Sequence, residues 1–151
     1  MSSEAQVFTA LVDVLRNDSA FSTAAAGGIY DPYTDGVDEI APPASYPGGA
    51  YDANGQLQTC VLVKPEVVIP NNSTGIAGVA ALPVAIYAYQ KGGCNEIAAL
   101  LWRAYQLLHD TQLAGVTNWN VREAAHVPCV EEPVLNCMMG MRRFVVQMLR
   151  V

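Results

Sequence analysis

The chain is short of charge, and one long stretch lacks positive charge altogether. Charged residues make up 15% of its 151 positions, against about 25% in ordinary soluble domains. Positions 17–63 contain no Lys or Arg. That argues against a module that grips nucleic acid, which needs clustered Lys and Arg to displace phosphate counterions. No apolar run reaches the roughly 18 residues of a membrane span, because Pro83, Gln90 and Lys91 interrupt the best candidate. The opening MSSEAQVF has neither the charged start nor the apolar core of a signal peptide, so no leader is expected.

Catalytic and metal-binding constellations are equally scarce. His109 and His126 are the only histidines. No Ser-His-Asp or Cys-His pairing follows from spacing, since His126 and Cys129 point to opposite faces of a strand unless it bulges at Pro128. Cys60, Cys94, Cys129 and Cys137 form no CxxC and stand away from any zinc-spaced histidine, so they read as free thiols in a reducing cytoplasm. The run Asp31 to Gly36 resembles a calcium loop only faintly: Tyr33 and Pro42 stand where ligands belong. The pairs Gly27-Gly28 and Gly92-Gly93 are too short for phosphate cradles. Trp102 and Tyr105 read as packing residues. No catalytic residue, metal site or cofactor is expected.

What is present is apolar material and one acidic block. Hydrophobic residues reach 52%, which with so little charge predicts a surface partly buried by neighbours. Asp18, Asp31, Asp35, Asp38, Glu39 and Asp52 fall in the cation-free stretch, and the other eight acidic residues balance the eight Lys and Arg. The whole net charge of −6 therefore resides there. At the other end Arg142, Arg143 and Arg150 gather positive charge, either as a solvated strand face or as an interface to the acidic loop of a neighbouring subunit.

The length fits one domain, 1–151. Ser3 and Gln6 form a capping-box pattern, and Val7, Leu11, Val14 and Leu15 mark one face of a helix ending near Arg16. Positions 20–26 offer another helical turn. Positions 31–56, rich in Pro, Gly and Asp, predict an extended loop too poor in aliphatic side chains to order itself without a neighbour. Strands are expected at 57–63, continuing over 66–69, and at 80–90. In the latter, Leu82, Val84, Ile86 and Ala88 face one way and Tyr87 and Tyr89 the other, which predicts cover on both sides. Asn95 is a plausible cap for a strong helix that Gly115 ends. Strands at 120–129 and 141–149 close the chain, separated by a turn at Glu131-Glu132-Pro133. The fold class is α+β: a roughly four-stranded, mostly antiparallel sheet packed by two main helices on one face.

This layout resembles the tail terminator and tail-completion proteins of long-tailed bacteriophages, the lambda-type minor tail family. The resemblance rests on ALVDVLRND followed by GGIYDPY, on the paired strands TCVLVKPE and ALPVAIYAYQK, on the helix EIAALLWRAYQLLHDTQLAG, and on the closing MRRFVVQMLRV. It implies a virion subunit, made in the host cytoplasm, that forms a homo-oligomeric ring, typically a hexamer. The ring would cap the tail tube protein and dock it to the head connector or stopper protein, while DNA passes without being specifically bound. Asp31, Asp35, Asp38, Glu39 and Asp52 would then line the lumen or meet a neighbour, and Arg142 and Arg143 would sit at the subunit interface. Another neck component, an adaptor or stopper, fits the same layout. The rival from a different class is a small enzyme using His126 or His109.

Overall fold

The computed structural model describes residues 3–41, 46–70 and 78–149. Helix α1, Glu4–Arg16, begins at the expected capping box: the Ser3 hydroxyl accepts from the Gln6 amide, and the Gln6 side chain accepts from the Ser3 amide. Asn17 closes it, and the Asp18 carboxylate caps α2, Ser19–Ala24, by accepting from the Phe21 amide. Strand β1 is Ile29–Tyr30, and a 3-10 turn covers Gly48–Ala50. Then come β2, Cys60–Pro65, and β3, Ile69–Pro70. They are followed by β4, Val79–Gln90, and α3, Asn95–Leu108. The chain closes with β5, Arg122–Glu132, and β6, Cys137–Leu149.

The sheet has six strands, not four, in the order β1-β2-β4-β6-β5, with β3 also on β4. The two extra strands are two residues long and carry no period for a sequence pattern to register. All pairings are antiparallel except β1 on β2. Two long strands form the spine: β4 and β6 pair from Val79↔Leu149 to Gln90↔Met138. Pro83 lies in the middle of β4, a position that normally refuses proline. The gap between β2 and β3 explains it. There the Pro83 carbonyl accepts from the Glu66 amide on the side where the missing N–H would have pointed.

One face of the sheet is covered by helices. Val61, Val63, Leu82, Val84, Ile86, Ala88, Phe144, Val146 and Met148 pack there against α1, α2 and α3. The face assignment expected for β4 holds, with Tyr87 and Tyr89 on the other side beside Cys60, Leu62 and Cys137. Helix α3 starts differently from expectation. Asn95 is its first residue rather than its cap, and Cys94 at the cap gives no side-chain bond. The Gln90 side-chain Oε1 accepts from the backbone amides of Glu96 and Ile97, at 2.8 and 3.3 Å, in its place. The helix also ends early, at Leu108, where Asp110 turns with φ 66°.

The segment 31–56 departs most from expectation. Val37, Ile40 and Ala50 of this segment are buried on the outer face of the sheet, against Leu57, Cys60, Leu62, Tyr89 and Cys137, while Tyr33 near its start packs on Phe8 of α1. Few aliphatic side chains suffice because the sheet supplies the rest of this second core. The Pro42-Pro43 pair lies outside the described residues.

Gly140 sets how closely α3 approaches β6. A Cβ there would stand 2.6 Å from Ile97 Cγ2 and from the Pro128 carbonyl oxygen, and 2.8 Å from Leu101 Cδ1. Two of the three neighbours are core side chains and one is backbone, so relief requires the helix or β5 to move. Gly140→Ala should destabilise the fold by about 1–3 kcal/mol, the usual range for overpacking. Thermal or urea unfolding checks this, and an unchanged midpoint would mean the helix sits more loosely than described.

Candidate functional site

The acidic block is partly neutralised from outside itself. Arg16, the last cation before the cation-free stretch, reaches back from the end of α1. Its Nη1 lies 2.8 Å from Asp31 Oδ2, and its Nη2 lies 2.7 Å from Asp35 Oδ2 and donates to the Ile29 carbonyl. Asp31 is 1% exposed, and its Oδ1 accepts from the amides of Tyr33 and Thr34. It is therefore an internal anchor, and its expected place in a lumen lining is corrected. Asp35 is held by the same arginine. Asp18 pairs with Arg103 from α3, whose guanidinium holds the carboxyl below its usual range. Asp52 accepts from the Asn54 and Gln56 amides and shapes a turn.

Asp38 and Glu39 remain. Both are exposed, between buried Val37 and Ile40. The two apolar neighbours pin the backbone to the sheet, so this pair of carboxylates is presented outward as a fixed tip.

The expected interface arginines separate. Arg142 faces the helix side and is only 6% exposed, so its assignment to a subunit interface is corrected. Its guanidinium lies over the Tyr105 ring, 5.1 Å from the centroid. Nη2 is 2.9 Å from His126 Nδ1, and Nη1 is 3.5 Å from Glu123. Tyr105 is stacked between Trp102 and His109, at 5.4 and 4.7 Å. Trp102 is thus a packing residue on one side and 55% exposed on the other. His109 Nδ1 accepts from the Glu123 amide. Desolvation first, and the Arg142 charge second, lower the His126 pKa, against a smaller opposing pull from Glu123.

Arg143 points to the opposite face and pairs with Glu66 at 2.5 Å. The outer face changes character along the strands there. Toward Cys60, Tyr89 and Cys137 it is buried under 31–56. Beyond Tyr87, Met141, Arg143, Val145 and Gln147 of β6 stay half-exposed. Beside them opens a groove of about 650 Å³ lined by Lys64, Pro65, Glu66, Val67, Ile69, Pro83 and Tyr87. Val67 is 81% exposed and Ile69 55%. Among the described residues Lys64 has no acidic partner.

The cysteines also correct the sequence reading. Cys94, at the head of α3, is disulfide-bonded to Cys129 of β5. Strand β5 does bulge, between Val127 and Val130, and there Cys129 lies within bonding reach of Cys94. A spacing of 35 residues gave no hint of this contact. Cys60 and Cys137 are the free thiols, both buried under 31–56, and burial pushes them up to about 12 and about 11. Among the described residues no three His, Cys, Asp or Glu gather as a metal-binding group, and no helix is long and apolar enough to cross a membrane. No family model matches the chain, and no curated protein compared with it is similar.

Three outcomes follow from this geometry. Arg16→Ala leaves the Asp31 carboxylate buried without its cation, which should cost about 2–3 kcal/mol, the low end for a broken buried pair because Arg16 is partly exposed. Labelling of Cys60 and Cys137 should accelerate in the same variant, and wild-type labelling rates would mean that Arg16 does not hold the segment down. Breaking the disulfide should cost about 3–4 kcal/mol for a loop of this length, read as a lower unfolding midpoint under reductant or in Cys94→Ser. As for pH, His126 has a folded pKa below its ordinary value of 6.5. Its contribution to stability is complete above the unfolded value and is lost as pH falls through the folded one. His126→Asn should flatten the stability profile between about pH 7 and 5, and an unaltered slope would contradict the Arg142 contact.

Proposed function

We propose that this chain is a ring-forming structural subunit of the neck or tail of a long-tailed bacteriophage, in the manner of a tail terminator. It would close the tail tube and join it to the head connector. The observation that carries the reading is the half-covered sheet. A strand spine that is apolar on both faces is shielded by helices on one side, and by its own 31–56 segment over only part of the other. A solitary domain this lean in charge gains little by leaving Val67 and Ile69 beside an open sheet face. A subunit that buries that face against its neighbours gains stability from it.

The charge distribution supports the same reading. After internal pairing, the exposed carboxylates at Asp38 and Glu39 stand at one end of the outer face and Lys64, without an acidic partner among the described residues, at the other. The chain keeps its net charge of −6, and a wall of that sign repels a passing polyanion.

The deciding measurement is mass in solution by light scattering, with negative-stain images of the same sample. Particles at a sixfold multiple of the 16.1 kDa chain, with a central hole, are the expected result. A species that stays at 16.1 kDa at millimolar concentration and across salt would overturn the ring.

A further inference from the structure

We infer that the open half of the outer sheet face receives the acidic tip of the 31–56 segment from a second copy of this chain. The inference deepens the ring reading and rests on it for the presence of that second copy.

Both surfaces are fixed before they meet. The tip Asp38-Glu39 is carried between Val37, 3% exposed, and Ile40, 7% exposed, and the Arg16–Asp31 pair anchors the start of the segment. Little conformational freedom is left to lose on docking. The receiving groove is equally built: β2, β4 and the Glu66–Arg143 pair form its floor, and Val67 and Ile69 form an apolar wall. Of its lining residues only Lys64 and Glu66 are charged, and Glu66 is already paired with Arg143 beside the groove, so the Lys64 ammonium is the charge left without a counterpart among the described residues. The tip carries two carboxylates, and neither has a cationic partner among the described residues of its own chain. Tip and groove are complementary in sign, and like surfaces repel, which selects tip-to-groove contact over tip-to-tip. Tyr46, 40% exposed on the same segment as the tip, supplies amphipathic area for the apolar wall.

Charge exchange tests this directly. Lys64→Glu alone, and Asp38→Lys with Glu39→Lys alone, should each raise the concentration for half-assembly at least tenfold. Circular dichroism and the unfolding midpoint should stay at wild-type values. Mixing the two variants restores opposite signs at every contact, since the altered groove meets only the altered tip and the native groove only the native tip. Assembly should therefore return to within about threefold of wild type, with the two chains in equal numbers. Val67→Asp serves as a second probe: its side chain is 81% exposed, so it leaves the fold intact while placing a carboxylate in the groove. It should weaken assembly at least tenfold as well.

The failures separate. Rings that persist in all three variants overturn the docking and leave the ring standing. Loss of assembly in the single variants without rescue on mixing also overturns it. Wild-type dimers or open filaments that obey the exchange rule uphold the docking and overturn the ring. A wild type that remains monomeric throughout overturns both.

Discussion

Strand β4 is the constraint from which the rest of the structure follows. It is paired on both edges, by β2 and β3 on one side and β6 on the other, and apolar on both faces. Such a strand is stable only when covered twice. Leu82, Val84, Ile86 and Ala88 draw α1 and α3 onto one face, and Gly140 on β6 lets α3 come close. Tyr87 and Tyr89 draw a different kind of cover, a segment without regular secondary structure whose few apolar side chains land on Cys60, Leu62 and Cys137. The second cover runs out where β2 gives way to β3, and the exposed edge residues cluster where it ends.

Electrostatics decides how that irregular cover is held. Arg16 is placed at the end of α1 by helix periodicity, and it engages the Ile29 carbonyl, Asp31 and Asp35 together. One guanidinium fork thus ties the end of a helix, strand β1 and the first turn of the loop. Arginine suits this site because its planar donors serve several acceptors in fixed geometry. Arg103, Arg142 and Arg143 are similarly engaged with Asp18, Glu123 and Glu66. A chain with eight cations has placed these four where they join distant elements, and this leaves its surface with the acidic remainder.

The regular elements were legible because their patterns are local. The capping box at Ser3, the alternation in β4 and the apolar breadth of α3 each report burial within one element. What escaped were contacts between elements. The cap of α3 comes from Gln90, in the preceding strand, so a search for a capping residue next to the helix settles on Asn95 instead. The disulfide joins the head of a helix to a bulged edge strand, and a bulge breaks the period on which face assignments depend. The charge map misled for the same reason. Six carboxylates without a cation in their own stretch looked unpaired, yet Arg16 and Arg103 reach three of them from outside it. The absence of any cation between Arg16 and Lys64 was itself the available signal, since a buried carboxylate in that stretch needs a partner from its flanks. The loop was misjudged by counting its own aliphatic residues without counting those the sheet offers.

Under the ring reading, two roles compete for the same acidic residues. A carboxylate that docks into a neighbour's groove is no longer free to face a DNA path. Asp31 and Asp35 are spent inside the chain, and Asp38 and Glu39 would be spent between chains. The repulsion that keeps DNA from adhering must then arise elsewhere. Internal pairing leaves the net charge of −6 unchanged, because every ion pair removes one charge of each sign. A closed assembly multiplies that surplus while its contacts consume only complementary charges. The field in the hole then belongs to the whole ring, reaching about 8 Å from its wall at physiological salt. Exposed carboxylates such as Glu131, near the β5–β6 turn, would contribute to it wherever they lie within that distance of the hole. Under that reading, separating the two functions would let the acidic tip be optimised for a neighbour without altering how the channel treats DNA.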